Sequence, residues 1–282
     1  MADIKLLVCC HQKSAVPEHP LLLPVQVGAA LAEERFAGFA HDDDGENISG
    51  KNRSYCELTA LYWAWKNLDA DYYGLFHYRR YLYPEPAEKR PYRVEASPTG
   101  KLLETLGYAG FASLIAGYDL VLPKPEEMYV SVREHYAAAP YHHRHDLELA
   151  EEIVRELHPE YTAAMDTYFS GTAHYFGNIC VMSRKEFHRY CSWLFPILEE
   201  FDRRADVSGY GSQERRVNGY LAERLLGVYV TRRKVEDGIS AAELPRVHFV
   251  PDAAARRKTR LLNALLPPGS KRRYWVKSLK KG

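Results

Sequence analysis

One segment, residues 72–83 (YYGLFHYRRYLY), constrains the fold more than any other part of the chain. Its apolar, β-prone start at 72–76 predicts a short buried strand. His77, Arg79 and Arg80 come where that strand leaves the core. Ligands of open α/β sheets bind beyond the carboxyl ends of strands, so this position predicts a site, and a pair of planar guanidinium groups suits a phosphate. The alternative is that the arginines pair with surface carboxylates.

Other strands alternate with helices along the chain. Residues 4–10 predict a first strand that ends in a polar cluster, and residues 54–67 predict a helix whose apolar side chains share one face. Further strands are predicted at 119–122, 177–182 and 228–232. This alternation indicates an α/β fold.

Composition and length allow one large domain or two small ones. The 282 residues are 46% hydrophobic, which supports a substantial core. No run of about 18 apolar residues occurs, and the first residues lack a basic stretch followed by an apolar one, so we expect a cytosolic protein without a membrane span. The five cysteines form no CxxC pair, which argues against a disulfide framework or a zinc site.

Basic residues are concentrated at the end of the sequence. After Asp252 there are ten Lys and Arg and no acidic residue, which leaves 28 basic against 37 acidic residues in the rest of the chain. Leu265 and Trp275 lie among these cations, a mixture typical of segments that bind anionic lipid. We therefore predict one domain at 1–250 and a basic, partly amphipathic tail at 251–282 that binds an anionic membrane surface. A disordered solubilising tail is the alternative, and nucleic acid is a less favoured partner because no nucleic-acid module is recognisable.

Three stretches of the chain resemble a known family. NISGKNRSYCELTALYWAWKNLDADYYGLFHYRRYL, GNICVMSRKEFHRYCSWLFPILEE and NGYLAERLLGVYV are similar to the bacterial capsular and exopolysaccharide biosynthesis family known as domain of unknown function 4422. The resemblance covers roughly residues 4–248 and leaves out the basic tail. It implies a GT-A-like nucleotide-diphospho-sugar transferase fold, with a central mixed, mostly parallel sheet flanked by helices.

The same resemblance implies an activity. Members are regarded as glycosyltransferases, some assigned to galactofuranosyl transfer, so we expect a hexosyltransferase that uses a UDP-sugar, with UDP-galactofuranose as the specific candidate. The expected acceptor is a polysaccharide or polyprenyl-linked glycan of capsule, exopolysaccharide, lipopolysaccharide or O-antigen synthesis, at the inner face of the cytoplasmic membrane. The alternative is a non-catalytic sugar-nucleotide or glycan-binding subunit of an assembly complex.

The charged strand end departs from the pattern of similar GT-A enzymes. Those enzymes carry an Asp-x-Asp motif there, which binds the donor diphosphate through a metal, whereas this chain carries His77, Arg79 and Arg80. Preorganised cations can neutralise a leaving diphosphate as a metal does. We therefore predict that these three residues replace the metal, helped by Lys13 and Lys51, and that no cofactor is required; Mn²⁺ or Mg²⁺ is the alternative.

Residues 42–44, three consecutive aspartates, are the competing metal site. They precede the predicted helix at 54–67 instead of following a strand, and they adjoin Gly45 and Asn47. This context favours a solvated turn.

The remaining site residues are predicted from analogy and position. Two polar stretches, after the first strand and around the start of the first helix, are predicted to contact the donor through Cys10, His11, Lys13, Asn47, Ser49, Lys51, Asn52 and Tyr55. A turn or cap hydrogen bond is the alternative for these polar residues. Acceptor contacts are predicted at His143, His174 and Asn178.

An inverting transferase also needs a general base, usually a carboxylate. Glu223 is the first candidate, with an ion pair on its helix as the alternative. Glu57 is the second candidate. Its spacing from Ser54 fits a capping box, which favours a structural role for Glu57.

Overall fold

The structure, a computed structural model, describes residues 2–235 and 237–278. The strands are β1 Ile4–Cys10, β2 Leu22–Gln26, β3 Ala40–His41, β4 Tyr72–His77, β5 Arg80–Leu82, β6 Tyr92–Glu95, β7 Leu120–Pro123, β8 Glu126–Glu127, β9 Ala173–His174, β10 Cys180–Ser183, β11 Ala241–Leu244 and β12 Arg246–Phe249. The helices are α1 Asn52–Tyr55, α2 Leu58–Asn67, α3 Gly100–Thr105, α4 Phe111–Ile115, α5 Val132–Ala138, α6 Arg144–Leu157, α7 Thr162–Ser170, α8 Arg184–Arg204, α9 Val217–Val235, α10 Ala253–Leu265 and α11 Lys271–Ser278. Short 3₁₀ segments lie at Ala29–Leu31, Ser49–Lys51, Tyr108–Gly110, Pro159–Tyr161 and Glu214–Arg216.

One mixed sheet organises these elements. Its strands lie in the order β11-β7-β10-β4-β1-β2-β3. The pairs β11–β7, β4–β1, β1–β2 and β2–β3 are parallel, whereas β10 runs antiparallel to both of its neighbours. A side branch joins β12 to β5 and β6. The prediction of an α/β fold with a mixed, mostly parallel sheet flanked by helices is confirmed.

The central strands are buried on both faces. Leu7 and Cys9 of β1 pack into one hydrophobic cluster, and Leu6 and Val8 pack into the other. Successive side chains of a strand point to opposite faces, so a strand covered on both sides is continuously apolar. Gly74 of β4 allows close packing here, since a Cβ at that position would lie 2.4 Å from Leu6 Cδ2.

The helix predicted over 54–67 is in fact two helices. The chain breaks between α1 and α2 at Cys56, whose φ of 50° lies in the left-handed region. At this break α9 approaches closely, because a Cβ on Gly219 would lie 3.1 Å from Cys56 Sγ. A uniform helical pattern in sequence therefore conceals a packing-driven interruption.

The capping box predicted for this helix is absent. Glu57 lies at the start of α2 and makes no side-chain cap hydrogen bond. Ser54 lies within α1, and its Oγ accepts a hydrogen bond from Asn218 Nδ2 at 3.0 Å. The carboxylate of Glu57 is thus available for another role.

The strand predicted at 228–232 is also wrong, because these residues lie inside α9. The buried residues of α9 run almost without interruption from Val217 to Val230, so the helix shows no polar face. Without amphipathic periodicity, a short apolar run rich in β-branched residues resembles a strand. The strands predicted at 119–122 and 177–182 correspond to β7 and β10.

Within the described residues, the end of the chain is helical and packs on the sheet's side branch. Arg260 of α10 donates hydrogen bonds to Val94 O at 2.9 Å and to Glu95 Oε2 at 2.8 Å. None of the described helices is both long and apolar enough to cross a membrane. Two cations of the predicted tail, Lys280 and Lys281, lie outside the described residues.

Candidate functional site

A cavity of about 700 Å³, here named cavity 1, lies where β1 and β4 end. It is lined by Cys9, His11, Val27, Asn52, Arg53, Cys56, Glu57, His77, Arg79, Tyr210, Ser212, Arg215 and Arg216. Because β1 and β4 are parallel neighbours, their carboxyl ends meet at one edge of the sheet. Cavity 1 therefore occupies the crevice that α/β proteins use for ligands.

Cavity 1 is strongly cationic. Four arginines line it against one carboxylate, that of Glu57. Arg215 Nε donates to Tyr210 O at 2.8 Å and Arg216 Nε donates to Cys56 Sγ at 3.4 Å. In the part of the chain that the structure describes, no carboxylate forms an ion pair with any of the four arginines. Uncompensated guanidinium groups facing one space favour a ligand with at least two negative charges.

The two imidazoles of cavity 1 are neutral near pH 7. Burial, with Arg80 and Arg79 close by, lowers the pKa of His77 to about 3. Burial and Arg79 also lower the pKa of His11. The amide of Arg79 donates to His77 Nδ1 at 3.3 Å, so the proton of the neutral His77 ring lies on Nε2. His77 can therefore donate a hydrogen bond, but it does not supply the positive charge predicted from the sequence.

Glu57 is held in place by Asn178. The Nδ2 of Asn178 donates to Glu57 Oε1 at 2.9 Å and to Gly219 O at 3.1 Å. Burial raises the pKa of Glu57, and the hydrogen bond from Asn178 partly opposes this rise. The helix break at Cys56 thus converts a residue predicted to cap a helix into a lining carboxylate of cavity 1.

A second cavity of about 350 Å³, here named cavity 2, lies beside the side branch of the sheet. It is lined by Arg80, Tyr92, Glu126, Glu127, Met128, Phe176, Glu223, Arg246, His248, Gly269, Ser270, Arg273 and Tyr274. Arg80 and Glu223, both predicted as catalytic, lie here and not with Arg79. His77 pairs with Arg80 across the β4–β5 hairpin, so Arg79 belongs to the two-residue turn and Arg80 to the strand. The arginine pair is therefore divided between the two cavities.

Residues 177 and 178, here named the wall, each bind a carboxylate that lines one of the two cavities. Gly177 N donates to Glu223 Oε2 at 2.6 Å, while Asn178 binds Glu57 on the other side. Both wall residues have positive φ, 92° and 52°. Two consecutive residues in an unusual backbone conformation thus position one carboxylate in each cavity.

Several predicted donor residues lie away from both cavities. Lys51 Nζ and the hydroxyl of Tyr55 both donate to Asp202 Oδ2, at 3.0 and 2.9 Å. Asn47 Nδ2 donates to Gly45 O at 2.8 Å within its own loop. These contacts occupy the polar groups that were expected to face the donor.

The other predicted donor residues have mixed positions. His11 and Asn52 line cavity 1. Cys10 is fully buried, and its Sγ donates to Val8 O at 3.5 Å. Lys13 is exposed and does not line either cavity.

The predicted acceptor histidines also lie outside the cavities. His174 is fully buried, its Nε2 donates to Val130 O at 3.1 Å, and burial lowers its pKa to about 4. His143 Nε2 lies 3.2 Å from Glu214 Oε1, and its ring packs on Tyr210 of cavity 1. His143 is therefore one residue removed from the cavity surface.

The aspartate run is only partly a solvated turn. Asp42 is fully buried and accepts hydrogen bonds from Gly28 N at 2.8 Å, Ala29 N at 2.9 Å and Ser49 Oγ at 2.5 Å. These contacts explain why Ser49 does not reach a cavity. Among the residues that the structure describes, no three His, Cys, Asp or Glu side chains form a group that could hold a metal.

Three of the four arginines that line cavity 1, Arg53, Arg215 and Arg216, were not predicted from the sequence. Arg215 and Arg216 form a doublet like that at 79–80, and only Val217 separates them from the family-like stretch NGYLAERLL. That doublet was the sequence feature from which these two arginines could have been predicted as site residues. Arg53 lies within the first family-like stretch and had no comparable neighbour.

Fold and cavities together define an α/β protein with a crevice lined by arginines at the ends of parallel strands. The chain belongs to the family described as domain of unknown function (DUF4422), whose model matches residues 5–234. The structure titled "WbbM bifunctional glycosytransferase apo structure" is similar, with a TM-score of 0.81 and 32% sequence identity, over 88% of this chain and 45% of that chain. The chain thus spans less than half the length of that protein. No protein of curated function matches it. The fold is glycosyltransferase-like, and the family resemblance is confirmed.

Proposed function

We propose that this protein is a glycosyltransferase that moves a sugar from a nucleotide-diphosphate donor to a polysaccharide or polyprenyl-linked glycan in bacterial surface polysaccharide synthesis. The observation that supports it most is cavity 1, where four unpaired arginines face one space on a glycosyltransferase-like fold. The donor is a UDP-sugar bound in a GT-A-like manner, and UDP-galactofuranose is the candidate drawn from the family resemblance.

In this proposal the cations of cavity 1 stabilise the leaving diphosphate. Arg79, Arg215 and Arg216 neutralise the charge that develops as the bond to the sugar breaks, and His77 donates a hydrogen bond from Nε2. Preorganised groups of this kind contribute about 2–4 kcal/mol each to transition-state stabilisation. The transfer then requires no metal.

Glu223 acts as the general base in this proposal. The acceptor hydroxyl oxygen forms a bond to the anomeric carbon, the bond to the diphosphate breaks with its electron pair, and the hydroxyl proton passes to Glu223. Gly177 N and the guanidinium of Arg224 orient this carboxylate, at 2.6 Å each. Glu57, on the other side of the wall, faces the donor.

We also propose that residues 1–250 form the catalytic domain and that the basic tail binds an anionic membrane surface. The tail's apolar side chains support this, because Leu261 and Leu265 of α10 and Trp275 of α11 are 62%, 65% and 62% exposed. Exposed apolar groups among cations match the surface of anionic lipid.

The test is a transfer assay with the purified chain. A panel of nucleotide sugars is incubated with glycan and polyprenyl-linked acceptors, with and without EDTA. We expect transfer or slow donor hydrolysis with at least one UDP-sugar, unchanged by EDTA. Absence of both activities with every donor would contradict a transferase, and loss in EDTA that Mn²⁺ restores would contradict the metal-free mechanism.

A further inference from the structure

Six of the thirteen residues that line cavity 2 lie in a part of the chain that the family model does not match. The match ends at residue 234. Beyond it, the side branch of the sheet and the turn into α11 contribute Arg246, His248, Gly269, Ser270, Arg273 and Tyr274 to the lining. Cavity 2 is therefore formed jointly by the matched region and this chain's C-terminal segment.

Specific contacts hold that segment over the cavity. The hydroxyl of Tyr129 donates to Gly269 O at 3.2 Å, and its ring lies 5.6 Å from that of Tyr274. Arg273 NH1 donates to Asn263 Oδ1 at 2.7 Å and to Leu266 O at 3.1 Å, which ties α11 to the end of α10. The α10–α11 turn is thus a fixed wall of cavity 2.

The charges of cavity 2 differ from those of cavity 1. Three guanidinium groups and three carboxylates face it, those of Arg80, Arg246, Arg273, Glu126, Glu127 and Glu223. This formal balance does not favour a diphosphate. Carboxylates and guanidinium groups that line one cavity offer both acceptors and donors, as the hydroxyls of a neutral sugar require.

Aromatic rings provide the apolar part of the lining. Tyr92, Phe176 and Tyr274 border cavity 2, and Tyr92 stacks on His248 with ring centres 4.3 Å apart. Rings of this kind can pack against the C–H face of a sugar. The combination of rings with paired acids and bases matches a carbohydrate better than a phosphate.

Arg246 is a firmly held part of the lining of cavity 2. Its side chain is only 2% exposed, and its terminal nitrogens donate to Glu126 and to Phe176 O. These contacts fix the charged end of Arg246 at the cavity.

We propose that cavity 2 binds the terminal neutral sugar of the glycan acceptor, and that the C-terminal segment at 246–274 completes this acceptor site. The assignment deepens the proposed function and rests on it for the reaction. Glu223 lines cavity 2, and its carboxylate is bound at the wall. An acceptor hydroxyl in cavity 2 thus lies beside the proposed base. Because the completing residues lie outside the family match, acceptor choice depends in part on this chain's C-terminal segment.

The test separates acceptor binding from donor chemistry. Arg273→Ala and Tyr274→Ala are compared with two controls away from the cavities, Arg203→Ala and Tyr118→Ala; Tyr118 is 37% exposed and Tyr274 36%. Soluble methyl glycosides of galactose, glucose, mannose and N-acetylglucosamine serve as acceptors, so membrane binding does not enter. We expect an acceptor KM raised about tenfold in both cavity variants, with donor KM and donor hydrolysis unchanged. An unchanged acceptor KM, or equal changes in both KM values, would overturn the proposal.

A binding measurement keeps this outcome independent of the transferase activity. Saturation-transfer NMR of the same methyl glycosides should show contact with the unmodified chain and with Tyr274→Phe, which keeps the ring, and a much weaker signal with Tyr274→Ala. If no transfer is found but this pattern holds, cavity 2 is a sugar-binding site and the proposed function fails. Equal signals from all variants would overturn the site, whatever the enzyme assay shows.

Discussion

Two adjacent arginines of the β4–β5 hairpin serve different cavities. Arg79 lies in the turn and faces cavity 1, where its guanidinium packs 5.0 Å from the ring of Tyr78. Arg80 begins β5 and faces cavity 2. In the proposed reaction, loss of Arg79 weakens donor binding and catalysis, whereas loss of Arg80 affects binding of the acceptor.

We predict that Arg79→Ala lowers kcat/KM for the donor about 30- to 10³-fold, because one preorganised charge at the leaving diphosphate contributes about 2–4 kcal/mol. Arg79→Lys should recover only part of this loss, since lysine keeps the charge but lacks the bidentate fork. Steady-state kinetics at saturating acceptor measure the effect. Arg203→Ala, on the exposed face of α8 beside Glu200, is the control and should match the unmodified chain. Equal activity of Arg79→Ala and the control would refute the role.

The sequence predicts where this site lies but not how its side chains are positioned. A short apolar strand followed by His77 and Arg79 marks a strand end, and strand ends are where α/β sheets bind ligands. The division between Arg79 and Arg80 depends on hairpin register, which a single sequence does not specify here. The position of the Glu57 carboxylate in cavity 1 depends on the break at Cys56. That break follows from the close approach of α9 and not from local propensity.

At the level of elements, α9 positions both carboxylates. Gly219 O of α9 accepts a hydrogen bond from Asn178, which binds Glu57, and Glu223 lies one turn further along the helix. The far end of α9 is clamped to α8 by a buried pair, in which Arg233 Nε and NH2 donate to Glu186 at 2.8 and 2.7 Å. Helix α9, whose residues 228–232 were predicted as a strand, is thus fixed at both ends.

We predict that Glu186→Ala lowers the free energy of unfolding by about 3 kcal/mol, because it removes two hydrogen bonds from the buried Arg233 guanidinium and leaves Asp237 as its remaining carboxylate partner. Arg233 and Glu186 are 4% and 2% exposed. Replacing both residues by methionine should recover most of the loss, since neither charge then remains buried. Denaturant unfolding measures both variants, and the exposed Glu199→Ala on the same helix is the control. A small loss for Glu186→Ala would show that the clamp does not stabilise the fold.

Buried histidines make the stability of the whole molecule depend on pH. Burial lowers the pKa of His174 to about 4, and lowers that of His77 and His248 to about 3 and about 2. An imidazole of the unfolded chain has a pKa of about 6.5. Between the two values the unfolded chain binds a proton that the native chain does not, so stability falls as pH falls.

We predict that His174 alone removes on the order of 2 kcal/mol of unfolding free energy between pH 7 and pH 5. His174→Gln keeps a donor for Val130 O but does not titrate, so its stability should fall less steeply over this range. Unfolding curves of the unmodified chain and of His174→Gln at pH 7, 6 and 5 give the difference between their pH dependences. The contributions of the other histidines are the same in both proteins and cancel. Parallel pH dependences would contradict a neutral buried His174.

The basic tail should determine whether the molecule associates with an anionic membrane. Leu261 and Leu265 lie one turn apart on α10 and are exposed, and the described tail carries cations without an acidic residue after Asp252. We predict that the chain binds vesicles containing phosphatidylglycerol but not pure phosphatidylcholine vesicles, and that binding weakens with salt, because each basic residue near an anionic surface contributes about 1 kcal/mol. The double variant Leu261→Glu with Leu265→Glu should lose co-sedimentation while keeping transfer to a soluble acceptor, since neither leucine lines a cavity. Binding that persists in this variant would show that α10 is not the lipid contact.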